Sequence, residues 1–274
     1  MLWSPARLRR PRNVAVQQRV ADVRRDHPEA EAWLELLEGA LAESEEAVWD
    51  AAVPASAVDR PANAPFLFRA QFAVNRRSAG RWVHRIAGRD VDAVALLEAA
   101  VCQDDARIAV LAAAAGADPE ALRVTAHMAT VPLLQACGRA FAAQVAPTWW
   151  EGYCPVCGAW PTLAESIGLE RKHQLRCGRC GTAWALPPLR CVFCGEVDHD
   201  QLGYLAPDEA EPVRRVEICR TCNGYLKALT TMRSLAPWAV LLDDVTTVHL
   251  DVVALERGYR RPERPGYALE ARLA

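Results

Sequence analysis

Four Cys-x-x-Cys pairs lie within one stretch of the chain, between residues 154 and 222. They account for eight of the ten cysteines in a sequence of 274 residues. One tight turn at this spacing presents two sulfurs to the same point, and two such turns complete a tetrahedral site that usually holds zinc or iron. We predict that the metal ligands are Cys154, Cys157, Cys177, Cys180, Cys191, Cys194, Cys219 and Cys222.

The residues that follow the pairs suit such a turn. Gly158, Gly181 and Gly195 come directly after the first three pairs, and Asn223 comes after the fourth. Glycine adopts a positive φ without steric cost, and asparagine tolerates the left-handed region better than most residues. The sequence therefore predicts four similar turns, each leaving through a left-handed residue.

Disulfides are the competing explanation for so many cysteines, and they require an oxidising compartment. Four arginines lie in residues 1–12, but no apolar run follows them, so neither a secretory nor a twin-arginine signal is complete. The longest apolar span, 108–117, has ten residues, whereas roughly 18 are needed to cross a bilayer. We therefore expect a cytoplasmic protein whose thiols stay reduced and bind metal.

The gaps between successive pairs are 19, 10 and 24 residues long. A gap of about 15 to 20 residues is usual in zinc ribbons, and a longer one accommodates an insertion. Consecutive pairing gives two metal modules in tandem, with Cys154, Cys157, Cys177 and Cys180 in the first and the other four cysteines in the second. Pro187 and Pro188 would form a linker between them. Spacing alone leaves an interleaved arrangement open.

The rest of the chain divides into a helical half and a half with short strands. Helical periodicity and propensity predict helices at 14–25, 29–50, 66–87, 90–115, 119–130 and 132–146, with Pro132 breaking the last two apart. Strand-like runs lie at 159–165, 170–176, 182–187, 203–206 and 213–218. After the last pair, we predict a helix at 223–235, an extended segment at 239–243 and a helix at 247–259.

These patterns predict an α plus small β fold with three parts. An all-α domain spans 1–148, a first metal module spans 149–188, and a second module with C-terminal helices spans 189–274. Cys102 and Cys137 fall inside predicted helices, where small buried apolar roles are expected. The strands are too short to form a large core, so bound metal is expected to supply much of the folding free energy.

The predicted sites argue against catalysis. Four protein ligands leave no exchangeable position for a substrate, and the sequence contains no phosphate-binding loop, serine-nucleophile elbow or His-Glu-x-x-His motif. We therefore predict no catalytic residues, no organic cofactor and no enzymatic activity. A net charge of −2 also disfavours nucleic-acid binding.

Four further residues are weaker candidates. His173 and His199 lie near the pairs and could replace a thiolate, but eight cysteines already fill two sites, so surface or supporting roles are favoured. Asp243 and Asp244 could bind metal or accept a proton, but capping of the last helix is the favoured interpretation. Basic neighbours that could offset the charge of the sites are Arg176, Arg179, Arg190, Arg214 and Arg220.

The residues around the cysteines resemble the FdhE family of formate dehydrogenase accessory proteins. The carrying segments are GYCPVCG at 152–158, LRCGRC at 175–180, RCVFCG at 190–195 and EICRTCNGYLK at 217–227. The resemblance implies a cytoplasmic protein with two rubredoxin-like modules that hold iron or zinc. It also implies a role in maturing respiratory formate dehydrogenase, with the catalytic subunit as partner.

Two other functions remain open from the sequence. A rubredoxin-like iron centre could carry single electrons, and a zinc ribbon could bind nucleic acid. The electron-carrier function requires iron, so the identity of the bound metal tests it. The net charge of −2 disfavours the nucleic-acid-binding function.

Overall fold

The computed structural model describes residues 8–56, 59–187, 189–205 and 213–274. It divides the chain into two compact units. One comprises Met1–Arg60, Phe66–Ala140 and Ala268–Ala274, and the other comprises Pro61–Pro65 and Phe141–Tyr267. The three-part division proposed from the sequence stays a prediction, and Pro188 of its linker lies outside the described residues. The described helices include none that is long and apolar enough to span a membrane.

The first unit is helical, as predicted. Its helices are α1 (Val14–Asp26), α2 (Glu31–Glu43), α3 (Ala47–Asp50), α4 (Arg76–Ala87), α5 (Ala93–Cys102), α6 (Asp105–Ala115) and α7 (Pro119–Phe141). Two-residue strands, β1 (Gln71–Phe72) and β8 (Arg272–Leu273), pair in parallel. Polar caps define several of the starts: the side chains of Asn13, Asn75 and Asp92 accept backbone N–H groups of α1, α4 and α5.

Four helix predictions in this unit were wrong. The predicted helix at 29–50 is interrupted between α2 and α3. The predicted helix at 90–115 is interrupted between α5 and α6, where Gln103 is left-handed and Asp104 caps α6.

The helix break predicted at Pro132 is absent, because α7 continues through this residue. The residues on either side, Val131 and Leu133, are fully buried, so packing offsets the lost hydrogen bond. The predicted helix at 66–87 begins only at Arg76, where Asn75 caps it.

The second unit contains a six-stranded sheet. Its strands are β2 (Leu163–Ile167), β3 (Lys172–Arg176), β4 (Ala183–Trp184), β5 (Leu202–Leu205), β6 (Arg214–Cys219) and β7 (Tyr225–Thr231), in the order β4-β3-β2-β7-β6-β5. The β2–β7 pair is parallel, and the other pairs are antiparallel. Strands from both cysteine-rich halves therefore share one sheet.

Two predictions after the last cysteine pair were wrong. Residues 225–231 of the expected helix form β7, and the expected extended segment at 239–243 lies in helix α8 (Ala239–Val245). β7 lies between β2 and β6, and its first five residues are buried on both faces. Pairing on both edges therefore overrides the helical propensity of this segment. The final helix, α9 (Val248–Glu256), was predicted correctly.

The two faces of the sheet have different surroundings. On one face, Val216, Ile218 and Tyr225 pack against Leu250 and Ala254 of α9. Alternate residues of the same strands point to the opposite face. That face bears the side chains of His173 on β3 and of Arg215 and Glu217 on β6.

Candidate metal centres

The four cysteine pairs form four turns of the same kind, and each turn is called a knuckle here. In every knuckle the N–H of the first cysteine donates to the carbonyl five residues later, at 2.8–3.0 Å. The residue that follows the second cysteine has a positive φ: 70° at Gly158, 76° at Gly181, 79° at Gly195 and 53° at Asn223. The predicted left-handed exits are therefore present in all four knuckles.

The knuckles bring the cysteines together in two groups of four, in consecutive order. Site 1 contains Cys154, Cys157, Cys177 and Cys180, and site 2 contains Cys191, Cys194, Cys219 and Cys222. Within each group all four sulfurs lie within 4.8 Å of one another. Neither His173 nor His199 belongs to either group.

The sulfur positions fit a tetrahedral metal ion. A metal–sulfur distance of about 2.3 Å requires the sulfurs of a regular tetrahedron to lie about 3.8 Å apart. In site 1, the Sγ atoms of Cys154 and Cys180 are 3.4 Å apart, and two others are 3.5 Å apart. In site 2, the corresponding distances are 3.7 and 3.8 Å. Both groups could therefore hold one zinc or iron ion through four thiolates.

Burial also argues for a cation in these groups. Burial raises the pKa of Cys154 and Cys180 in site 1, and partial desolvation raises the pKa of Cys222 in site 2 to about 11. Thiolates are therefore unfavourable without a positive charge among them. The pKa of Cys157 is lowered by contact with the other three sulfurs and, to a smaller extent, by the charge of Arg179. A divalent ion would supply the missing charge in both sites.

The two sites differ in exposure. All four cysteines of site 1 are buried, with at most 2% of each residue exposed. In site 2, Cys191 and Cys219 are buried, but Cys194 and Cys222 are exposed. Cys194 and Cys222 of site 2 are therefore more accessible to solvent than any cysteine of site 1.

A cavity of about 450 Å³ borders site 2 on the sheet face opposite α9. Cys191 and Cys219 line it together with a polar group formed by His173, Arg215 and Glu217. The His173 ring lies 3.7 Å from the Glu217 carboxylate, to which Arg215 donates at 3.0 Å. Burial opposes protonation of His173, but its contact with Glu217 outweighs burial and raises its pKa.

This contact indicates that the sheet curls. β2 and β7 separate β3 from β6, so a flat sheet would place these two strands about 14 Å apart. His173 and Glu217 nevertheless meet across that gap, so the sheet is concave on the face that holds the cavity.

The interpretation of Asp243 and Asp244 as a helix cap was wrong. Both residues lie inside α8, and Thr247 precedes α9 without a capping side-chain bond. The Asp243 carbonyl accepts the hydroxyl of Thr247 at 2.8 Å. Asp244 instead forms an ion pair, with its Oδ1 2.6 Å from the ammonium group of Lys227.

Lys227 is the centre of a buried ionic cluster that the sequence did not reveal. Its Nζ lies 2.6 Å from carboxylate oxygens of both Asp244 and Asp251. Arg261 contacts the same two carboxylates at 3.4 and 3.3 Å, and Tyr225 donates to Asp251 at 2.9 Å. The cluster therefore connects β7 with α8, α9 and the C-terminal segment. The sequence predicted a helix at 223–235, and a lysine within it did not indicate such a cluster.

A helical unit and a second unit whose sheet carries two four-cysteine knuckle sites define a protein of rubredoxin-like type that could bind two metal ions. Residues 189–265 match the model of the family described as FdhE, C-terminal domain. The resemblance to the FdhE family predicted from the sequence is thereby confirmed.

Individual relatives agree with the family match. The chain is 34% identical to an FdhE homolog of Aquifex aeolicus over 119 residues, which are 42% of this chain and 41% of that protein. It is 31% identical to the FdhE protein of Escherichia coli over 111 residues, which are 40% of this chain and 35% of that protein. The matched segment thus spans about two fifths of these relatives.

The fold is also similar to a solved structure. The crystal structure of the FdhE protein from Pseudomonas aeruginosa matches with a TM-score of 0.57 and 22% identity, over 93% of this chain and 94% of that chain. At this identity the match establishes the fold alone.

Proposed function

We propose that this protein is an accessory factor for the maturation or activation of respiratory formate dehydrogenase. In this proposal it acts in the cytoplasm, binds the catalytic subunit and carries one zinc or iron ion in each four-cysteine site. The eight paired cysteines are the ligands. Catalysis is not part of the proposal.

One observation carries the proposal: the chain holds two four-sulfur groups, the second of them within the residues that match the FdhE model, and protein fills every ligand position in both. Four thiolates leave no coordination site at which a substrate could exchange. When bound, the metal supplies charge compensation and crosslinks the knuckles. The protein itself holds the sulfurs at about the separation that a tetrahedral metal ion requires, and it shields site 1 from water. Such a unit suits recognition of another protein better than chemistry on a small molecule.

The test is a quantitative pull-down of the dehydrogenase catalytic subunit by the metal-loaded full chain. We expect binding by the wild type and weaker binding after Cys177→Ser in site 1 or Cys191→Ser in site 2. Cys102→Ser is the matched control, because Cys102 is a half-buried cysteine of the helical unit outside both groups. Metal content and circular dichroism of each variant show whether lost binding follows a lost ion or a lost fold.

The pull-down also has outcomes that contradict the proposal. Absence of wild-type binding would remove the catalytic subunit as the partner. Unchanged binding and unchanged dehydrogenase activity in both cysteine variants would remove the metal sites from the function.

A second function is favoured by the exposure of Cys194 and Cys222. Electrons enter a four-sulfur iron centre most easily where its cysteines are exposed. In site 2, Cys194 and Cys222 are exposed. A rubredoxin-like electron carrier requires iron and a reversible one-electron potential, which voltammetry of protein purified from its own host would measure. Protein that carries only zinc in that host would argue against this function.

A further inference from the structure

The cavity beside site 2 lies on the concave sheet face and has an open mouth. It is bounded by residues of β3, β5, β6 and β7 and by the knuckle that begins at Cys191. Its volume of about 450 Å³ falls within the range of about 300 to 1,000 Å³ that is usual for ligand sites. Cys191 and Cys219 form part of its wall, so an occupant lies directly against site 2.

The lining is largely apolar and partly exposed. Leu189 and Tyr204 both border the cavity, and they are 72% and 65% exposed. Val192 and Leu226 form deeper, buried parts of the wall. Exposed apolar residues grouped around a concavity mark surfaces that bind other molecules, and tyrosine is enriched where the molecule is a protein. An apolar side chain is therefore the expected anchor.

The positive charge of Arg215 favours an acidic neighbour to that anchor. Arg190 and Arg215 both line the cavity, together with the carboxylate of Glu217. Arg190 adjoins Cys191 of site 2, whose four thiolates and one divalent ion would carry a net charge of −2, whereas Arg215 lies four residues along β6 from Cys219. Glu217 is already held by both His173 and Arg215. A guanidinium group has five N–H donors, so Arg215 retains donors for a second carboxylate.

The rim of the cavity includes an edge strand. Among the described residues, β5 pairs with β6 alone and ends the six-stranded sheet. Arg220 donates its backbone N–H to Gln201 at 2.8 Å, so the alternation of an antiparallel ladder directs Gly203 and Leu205 toward β6. The backbone N–H and carbonyl of Tyr204 then point away from β6, toward the open edge. Such an edge accepts an extended segment as an added strand.

We propose that the cavity and the β5 edge together bind an extended segment of a partner protein, which places an apolar side chain in the cavity and an adjacent Asp or Glu at Arg215. The segment lies alongside site 2 when bound. This inference goes beyond the proposed function, because it holds whichever protein supplies the segment.

The test is selection of a random library of short linear peptides, displayed on phage, against the zinc-loaded full chain. We expect the enriched peptides to share an apolar residue next to an acidic one. Arg215→Glu should weaken their binding by at least about ten-fold, because it sets a like charge against the acid. Arg214→Glu is the matched control, since Arg214 is an exposed neighbour on the same strand outside the cavity lining, and it should leave binding unchanged.

A second pair of variants tests the edge strand. Tyr204→Ala removes the side chain, and Tyr204→Pro also removes the outward N–H group. That N–H group takes no part in the β5–β6 ladder, so the ladder keeps its hydrogen bonds, and circular dichroism checks the fold of both variants. Proline should weaken binding more than alanine does. The proposal is overturned if no peptide is enriched, if the enriched peptides lack acidic residues, or if they bind Arg215→Glu as well as the wild type.

Discussion

The two cysteine sites have the same local geometry and different surroundings. Both are built from two knuckles with a left-handed exit, and both place their sulfurs close to tetrahedral spacing. Site 1 is buried throughout, whereas Cys194 and Cys222 of site 2 are exposed beside the cavity. The cysteine spacing therefore determines the geometry of the sulfurs, and the residues outside the knuckles determine which site is exposed to solvent.

The cover over site 1 explains its burial. A Cβ atom added at Gly181 would lie 2.5 Å from Pro237, and one added at Gly178 would lie 2.9 Å from Leu241 of α8. The Gly178 N–H also donates to the hydroxyl of Thr162 at 2.9 Å. The segment around α8 therefore packs directly on the second knuckle.

The largest expected difference between the sites is in stability after a ligand is removed. Cys157→Ser breaks the buried site, and structural zinc sites contribute about 10 to 16 kcal/mol, as much as the whole stability of a typical domain. We expect this variant to lose one ion and the fold of the second unit. Cys194→Ser should lose one ion but keep the sheet, because Val216, Ile218 and Tyr225 still pack on α9. Metal analysis and thermal unfolding measure both effects.

Cys137→Ser controls for loss of a buried thiol outside the sites. Equal loss of folded structure in Cys157→Ser and Cys194→Ser would contradict the comparison, because both sites would then be equally structural.

The ionic cluster at Lys227 tests whether the two sites depend on a shared support. β7 pairs with β2 and with β6, so it joins the halves of the sheet that carry the two sites. Lys227→Met leaves Asp244 and Asp251 without their buried cation, and breaking such a pair costs about 3 to 5 kcal/mol. We expect denaturant unfolding to show this loss, with Lys172→Met as the control, because Lys172 is an exposed lysine on β3. A loss below about 1 kcal/mol would show that Arg261 alone balances the two acids.

The parts of the fold that the sequence predicted depend on local chemistry. The knuckles follow from cysteine spacing and from the glycine or asparagine after each pair, and α1 and α9 follow from local helical patterns. Strands β3 and β6 were also placed within two residues of their ends.

The parts that the sequence did not predict depend on tertiary pairing. The β7 segment contains leucine, alanine and lysine, which favour helix, and only its position between β2 and β6 makes it a strand. The role of Lys227 and the concave cavity arise from the same pairing. Asp243 and Asp244 were named as weak candidates, but the helix that contains them was not predicted, so their pairing with Lys227 could not be predicted.

The next effect to measure is thiol reactivity. With both sites loaded, an alkylating reagent should modify Cys194 and Cys222 before any cysteine of site 1, because only these two ligands are exposed. We expect rates at least about ten-fold apart, which corresponds to about 1.4 kcal/mol. Peptide mapping by mass spectrometry identifies the modified residues. Modification of Cys154 or Cys180 at the same rate would show that site 1 opens as readily as site 2.

The smallest expected effect concerns His173, which borders the cavity of site 2. Its contact with Glu217 raises its pKa above the ordinary value of about 6.5. A group with a raised folded-state pKa stabilises the fold fully below its unfolded-state pKa, and this stabilisation is lost as the pH rises through the folded-state pKa. The stability of the wild type relative to His173→Gln should therefore fall by about 0.5 to 1 kcal/mol as the pH rises from about 6.

His199→Gln is the control for this pH profile, because His199 is exposed and pairs with Asp200 at 3.5 Å. Denaturant unfolding at a series of pH values measures the difference between the two variants. If the stability of the wild type relative to His173→Gln rose with pH, the His173 ring would be held neutral and its contact with Glu217 would not be an ion pair. If His173→Gln also changed the retention of metal at site 1, the polar group of the cavity would support the whole sheet. An effect confined to site 2 would instead show that the exposed site has a polar environment of its own, separate from the buried site that shares its sheet.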